Sequence, residues 1–396
     1  MRSRVEASGT QLSVSLCDLL EDVNGLDLGP QRLAERLGVD KVLTSRLLKA
    51  VRHPDPLGTA YHMPGPAPLR RLLKAAKRRG VETGKVARAT AALDRFEALI
   101  SEGAGDRSSL DAMLSSWLPE ARLEFELRRR QSAYKAMSHL KGASASMSFS
   151  AVILSPSDDG KHIDVVWVIG MLGLRRLRPG VECKFATRRM ASEQEQRQPR
   201  NLDGEIVEGI DRARLDQFCF ARPAPLEARR VGDTLQYTLG NVGFGPRSNV
   251  DIVFAEVNRR ELFRSLPKGA KRKGFFFADV QTPTKTLHFD TLVHPDIYPN
   301  SEPELLVYDT SVDGVADVND PTRDIDRFPC AESIQRLGRG PPEADAGPIP
   351  NYRPILTHVF EKLGWKGDRY RAYRCRLEFP IYGSQVCMAF AVPEHD

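Results

Sequence analysis

Chemistry-bearing motifs are what this sequence has least of. Its six cysteines (Cys17, Cys183, Cys219, Cys330, Cys375, Cys387) stand apart without a CxxC pair. That spacing excludes a zinc knuckle and the disulfide framework of a small secreted scaffold, so buried reduced thiols are expected. The longest apolar run, VVWVIGMLGL at 165–174, falls well short of the roughly 20 residues that cross a membrane as a helix. The opening MRSRVEASGTQLSV carries charge with no apolar region behind it, so no secretory leader is read there and the cytoplasm is the expected setting. No nucleophile elbow, HExxH or Cys/His pair occurs. An enzyme is not signalled, and neither a cofactor nor a metal is expected.

The few candidate chemical groups all have plainer readings. His288 and Asp290 in HFD, with His294 and Asp296 in HPD, form the one His/Asp cluster in the sequence. The first pair falls in an alternating strand and the second in a turn, so satisfied histidines are favoured over a metal. DVNDPTRDID at 317–326 lacks the glycine and closing glutamate of a calcium loop and reads as a solvated acidic loop. GNVGFGPRSN at 240–249 is glycine-rich and holds Arg247, but it lacks the strand–turn–helix setting of a phosphate loop. GLRRLRPG at 173–180 reads as a basic strand edge that discourages further pairing.

What is present is charge in one place. The chain is 396 residues long with a net charge of +6. Between Lys41 and Arg88, twelve basic residues meet only Asp55 and Glu82. That segment is thus at +10, and the remainder is mildly acidic. A basic N-terminal module on an acidic body suits a polyanionic partner.

Period and punctuation divide the chain further. Leu12, Leu16, Leu19, Leu20 and Val23 keep helical spacing over 11–23. PQRLAERL and KVLTSRLLKAV follow as two more helices, and 52–68, with five prolines, reads as a loop. Helical spacing resumes at LRRLLKAAKRRG, then at Val86, Ala89, Leu93, Phe96 and Ile100, a 3-4 stripe that serves intrachain packing or a dimer seam. One more helix is expected over about 119–140. Beyond it the period becomes that of strands: SFSAVILS and HIDVVWVIGML around the turn PSDDGK, then LQYTL, VDIVFAEV, GFFFADV, TLHFDTLV and ELLVYDT. Polar loops are expected at 189–204 and 338–351. A helix at 352–363 precedes YRCRLEF, whose Tyr373, Cys375, Leu377 and Phe379 alternate with Arg374, Arg376 and Glu378 as in a half-buried strand. PIYGSQ is read as turning it back into VCMAFAV as an antiparallel hairpin. Strands not interleaved with helices predict an α+β fold with a mainly antiparallel sheet. The expected division is a module at 1–60, a helical connector at 61–142 and an α+β domain at 143–396.

From Leu33 to Leu47 the chain resembles the helix-turn-helix superfamily of bacterial transcription regulators. Ala34 is small where two helices would cross, and Gly38 suits a turn of positive φ. Leu33, Leu37, Val39 and Leu47 supply the apolar contacts, and Asp40 is placed to cap the second helix. Thr44 stands where the superfamily prefers an aliphatic residue. A second stretch, KAAKRRGVETGKVARA, fits less well because Arg79 falls where an apolar residue is needed. The resemblance implies a second helix lying in a major groove, with Lys41, Val42, Ser45 and Arg46 towards the bases. Lys49, Arg52, Arg70, Arg71 and Lys74 would then be set for phosphates. It also implies double-stranded DNA as partner, a homodimer matching a two-fold site, and a C-terminal domain that holds a small-molecule effector or serves oligomerisation. The alternative is an enzyme or ligand-binding protein whose N-terminal helices mediate oligomerisation or protein contacts.

Overall fold

The computed structural model describes residues 1–189, 199–207, 210–219, 226–231, 234–240, 243–245, 248–341 and 349–395. Contacts divide the chain into two units, Met1–Arg128 and Arg129–Asp396. The fold is α+β: helices come first, then a larger unit built on mainly antiparallel sheet. Among the described residues no helix is long and apolar enough to cross a membrane.

The first unit holds α1 (Arg2–Glu21), α2 (Pro30–Leu37), α3 (Lys41–Val51), α4 (Pro56–His62), α5 (Pro66–Arg78), α6 (Thr83–Ala98) and α7 (Arg107–Trp117). α8 (Pro119–Lys141) leads into the second unit. One apolar core runs from Val5 through Leu33, Leu47, Leu72 and Phe96 to Ala121. The helices on either side of residue 60 therefore share a core, where the sequence suggested a module and a separate connector. α1 begins about three turns earlier than its leucine spacing indicated, because Val5 and Gly9 continue the buried stripe.

The proline-rich stretch 52–68 is not a loop. Pro56 and Pro66 open α4 and α5 at their first turns, where a missing N–H leaves nothing unsatisfied. Asp55 caps α4 by accepting from the Gly58 N–H at 3.1 Å. The α6 stripe is internal as well: Ala89, Leu93, Phe96 and Ile100 are buried in the unit's own core, so it is not exposed as a dimer seam.

The second unit runs β1 (Ala143–Pro156), β2 (His162–Arg176), β3 (Cys183–Arg189), β4 (Leu226–Val231), β5 (Thr234–Leu239), β6 (Val250–Phe263), β7 (Leu266–Pro267), β8 (Lys273–Asp279), β9 (Thr284–Val293), β10 (Glu304–Asp309) and β11 (Gln335–Arg339). Then come α9 (Tyr352–Leu363), β12 (Arg371–Glu378), β13 (Ser384–Ala391) and β14 (Glu394–His395). Six strands form the main sheet in the order β11-β12-β9-β1-β2-β6, all antiparallel except β1 beside β9. Phe149, Ala151 and Ile153 face α9, which lays Ile355, Leu356, Val359 and Phe360 on the sheet. Burial of each such side chain is worth roughly 1.5–3 kcal/mol. Val152 and Leu154, one residue out of phase, pack towards β8, β10 and β13. Both faces are covered, which accounts for the continuous apolar run of β2.

Three further expectations change here. β12 and β13 do not form a hairpin. β12 pairs with β9 and β11, whereas β13 pairs with β8 and β10 in a separate three-stranded sheet. The chain changes sheet after Phe379, whose φ is +50°. Nor is β12 half-buried, since Arg374 lies inside with Tyr373 and Cys375. Finally, Arg175 and Arg176 do not guard an edge, because β2 lies between β1 and β6. Arg176 is buried, donating to the carbonyls of Val181, Gly240 and Leu239. Of the expected polar loops, 190–198 and 342–348 lie outside the described residues, as does Arg247 of the glycine-rich stretch.

Candidate nucleic-acid interface

α2 and α3 are joined by a tight turn whose chemistry is local. α2 ends at Gly38, with φ +70° and ψ 41°, a conformation open to glycine without a Cβ clash. The Gly38 and Val39 N–H groups both donate to the Ala34 carbonyl, at 2.8 and 3.0 Å. Asp40 then accepts from the Leu43 N–H at 2.8 Å, capping α3 and placing a negative charge at its positive end. Leu33, Ala34, Leu37, Leu43, Leu47 and Leu48 are buried between and behind the two helices, and Val39 is half-buried.

Thr44 has no solvent exposure. Its hydroxyl donates towards the Pro30 carbonyl at 2.7 Å and lies 3.0 Å from that of Lys41. The methyl joins the core while the hydroxyl ties the middle of α3 to the start of α2. Threonine thus fills the aliphatic position of the resemblance with its polar atom satisfied.

Opposite this buried face, Lys41, Val42, Ser45, Arg46 and Lys49 are exposed. Val42 keeps 69% of its surface in solvent, well beyond what packing asks of an aliphatic residue. Lys41 and Arg46 have no ion-pair partner among the described residues, whereas Lys49 lies 3.8 Å from Glu124.

The residues assigned to phosphates separate into two kinds. Arg71 and Lys74 are exposed on α5 with no ion-pair partner among the described residues. Arg52 instead donates to the carbonyls of Leu26 and Leu28 at 2.6 and 3.1 Å, holding the loop between α1 and α2. Arg70 pairs with Asp94 at 2.8 Å and with Glu97, so its charge is largely answered within the unit. Lys85 and Arg88 meet Asp22 and Asp18 in the same way. Arg79, read from the sequence only as a misfit in the second stretch, has its Nη2 3.6 Å from where a Cβ on Gly38 would stand. Arg79 therefore adds a cation beside the α2–α3 turn. The apolar residue of that second stretch is Val81, buried two positions on.

In the second unit the expected His/Asp pairs are split. His294 faces Asp296 at 3.6 Å in the turn after β9. His288 and Asp290 are buried, with Asp290 at the centre of a cluster the sequence did not disclose. Its carboxylate accepts from Arg374 Nε and Nη2, each at 2.9 Å, and from the Tyr352 hydroxyl at 2.6 Å. His288 Nε2 stands 3.2 Å away. Burial pushes the Asp290 carboxyl up, but the nearby His288 and the hydrogen bonds and charge of Arg374 bring it below the ordinary carboxylate range. Tyr352 is pushed well above the usual phenol value by burial and by that carboxylate. Such a cluster pins β9, β12 and α9 together. No group of three or more His, Cys, Asp or Glu side chains placed to hold a metal occurs among the described residues.

An open groove of about 670 Å³ lies beside β4 and β5, with Glu182, Glu227, Arg229 and Phe244 in its walls. Its charges are mixed, and the buried Arg176 beneath it is held by backbone carbonyls.

No family model matches the sequence, and no curated protein matches it. A solved structure from Parabacteroides distasonis, described as a candidate protease, aligns at 10% identity with a TM-score of 0.28. The alignment covers 64% of this chain and 41% of that one, a likeness too distant to carry an argument.

Proposed function

We propose that the protein is a sequence-specific DNA-binding transcription regulator that places α3 in a major groove. The observation that carries this is the division of α3 into two faces. Leu43, Thr44, Leu47 and Leu48 are buried, while Lys41, Val42, Ser45 and Arg46 are exposed together just after a capped, tight turn. Arg46 has the fork geometry for guanine N7 and O6, and Val42 presents a methyl face to thymine. Arg71, Lys74 and Arg79 add phosphate contacts, which give affinity and salt dependence without reading sequence. Arg52 and Arg70 leave that set. The protein would act as a homodimer on a two-fold site, through a surface other than the buried α6 stripe. The α+β unit would hold an effector or a partner.

The test is selection of genomic fragments by the full chain near physiological salt, followed by two variants. Arg46→Ala should relax base preference at one position, by about 1–3 kcal/mol of discrimination. Lys49→Ala should weaken binding evenly across sequences and shrink the salt slope by about 1. Recovery of no enriched sequence overturns the proposal.

A further inference from the structure

Two sequence stretches that play no part at α3, GLRRLRPG at 173–180 and GNVGFGPRSN at 240–249, meet at the groove beside β4 and β5. Arg176, Pro179 and Gly180 of the first line it together with Gly240, Gly243 and Phe244 of the second. Arg176 ties the lining together. Its Nε donates to the Val181 carbonyl at 2.7 Å, its Nη1 to that of Gly240 at 2.8 Å, and its Nη2 to that of Leu239. The Gly245 N–H in turn donates to the Arg176 carbonyl at 2.8 Å. A lining fixed in this way before a ligand arrives lowers the cost of binding one.

β4 and β5 supply the polar groups. They pair antiparallel, with Glu227 opposite Thr238 and Arg229 opposite Gln236. Side chains two apart on a strand share a face, so these four form a rectangle, and all four line the groove. Tyr237, between Gln236 and Thr238, is buried on the opposite face. Glu227 and Arg229 are exposed, and neither has an ion-pair partner among the described residues. Glu182, also exposed in the lining, has none there either.

These charges set the ligand. The charged residues of the lining are Glu182 and Glu227 against Arg176 and Arg229, so the groove carries no net charge. A phosphate chain is repelled by the carboxylates and a polyamine by the arginines. A molecule with one charge of each sign suits both. Along β4, Glu227 and Arg229 stand about 6.5 Å apart, two residues of strand rise. The ammonium and carboxylate of an α-amino acid, each met by a hydrogen bond of about 2.8 Å, span a comparable length. Thr238 and Gln236 lie directly across β5 to bond the same two groups. Phe244, 58% exposed, offers an apolar surface to the rest of the molecule.

We infer that this groove binds a free α-amino acid with a large apolar side chain, its ammonium on Glu227 and its carboxylate on Arg229. As the effector site of the proposed regulator it rests on that reading; as a binding site it stands without α3. Calorimetric titration of the full chain with L-phenylalanine tests it. Phenylpropionate, which lacks the ammonium, and phenethylamine, which lacks the carboxylate, are titrated alongside. L-Phenylalanine should bind with a Kd at or below about 1 mM, and the two truncated compounds at least about tenfold more weakly. Glu227→Gln and Arg229→Gln change exposed positions on β4, so the fold is kept. Each should weaken L-phenylalanine binding about tenfold or more. Arg46→Ala should leave the titration unchanged, so failure at α3 and failure here are read separately. Absence of L-phenylalanine binding by the parent overturns the inference. So does equal affinity for either truncated compound, or binding by both β4 variants within about twofold of the parent.

Discussion

Replacing Arg374 with methionine removes the cation from the most deeply buried charge in the second unit. Asp290 has no exposure and receives two hydrogen bonds from Arg374 at 2.9 Å each. The variant keeps the bond from Tyr352 and the nearby His288, but leaves the carboxylate without its full counter-charge. Breaking one side of a buried pair costs about 3–5 kcal/mol, a large share of the roughly 5–15 kcal/mol that holds a domain folded. Arg376, two residues along the same strand, is the control. It is 47% exposed and pairs with Glu378 at 2.8 Å, so Arg376→Met should cost under about 1 kcal/mol. Urea unfolding is read through Trp167 and Trp365, with Trp117 replaced by phenylalanine so that the signal reports the second unit alone. The pH dependence also has a definite sign. In the parent the Asp290 carboxyl is lowered, so its contribution is present above the unfolded pKa and lost as pH falls through the folded value. In the variant burial prevails and the carboxyl is raised, so stability is greatest in acid and declines as pH rises through the new folded value. The gap between the two proteins should therefore widen as pH rises through and above the ordinary carboxylate range. A cost below about 1 kcal/mol, or a gap that does not change with pH, would refute this account of the cluster.

Two further perturbations probe each unit. Burial raises the Asp279 carboxyl to about 6, partly countered by the Gln281 hydrogen bond and the Lys184 charge. Its stabilising contribution is thus present below about pH 4 and lost as pH rises through about 6, so Asp279→Asn should gain up to about 3 kcal/mol at pH 7 and little at pH 4. Equal offsets in denaturation midpoint at the two pH values would contradict it. In the helical unit, a Cβ on Gly9 would meet the Pro56 carbonyl oxygen at 2.2 Å. Gly9→Ala should accordingly cost about 1–3 kcal/mol through overpacking, although alanine is the better helix former by about 1 kcal/mol. A rise in the melting temperature of that unit would show that α1 and α4 do not approach there.

Elements whose ends carry their own chemistry were legible in the sequence. α3 starts after the cap at Asp40 and α9 ends at Gly364 in the left-handed conformation, and both match their apolar spacing. The misread segments are those where one residue type serves two purposes. Proline breaks a helix interior but opens a helix at its first turn, which is how 52–68 came to hold α4 and the start of α5. VCMAFAV follows YRCRLEF closely, yet sequence proximity does not choose a partner strand. Six of the seven residues from Val386 to Val392 are apolar, besides a cysteine that is also buried. That composition marks a strand covered on both faces, and β13 lies between β8 and β10. Arg374 was hidden for a related reason: alternation assigns any charged residue to solvent, and its partner Asp290 is 84 positions away.

Thr44 shows how one polar atom fixes which residues α3 presents. An aliphatic side chain there would pack equally well after a small rotation of the helix, because apolar contact is non-directional. A hydroxyl bonded to the Pro30 carbonyl at 2.7 Å is directional, and Thr44 cannot leave the interface without leaving that bond unmade. With Thr44 fixed inward, helical geometry sets the rest. Residues 43, 47 and 48 lie beside it on the inner face, and 41, 42, 45 and 46 lie outside. The exposed set therefore follows from a buried bond rather than from the charges themselves. A Thr44→Val protein, close in volume but without the hydroxyl, keeps the apolar contact and loses the directional one. If α3 is a groove-reading helix, that protein should retain its fold within about 1 kcal/mol while losing base preference more than overall affinity. Unchanged base preference would mean that the leucines alone set the register.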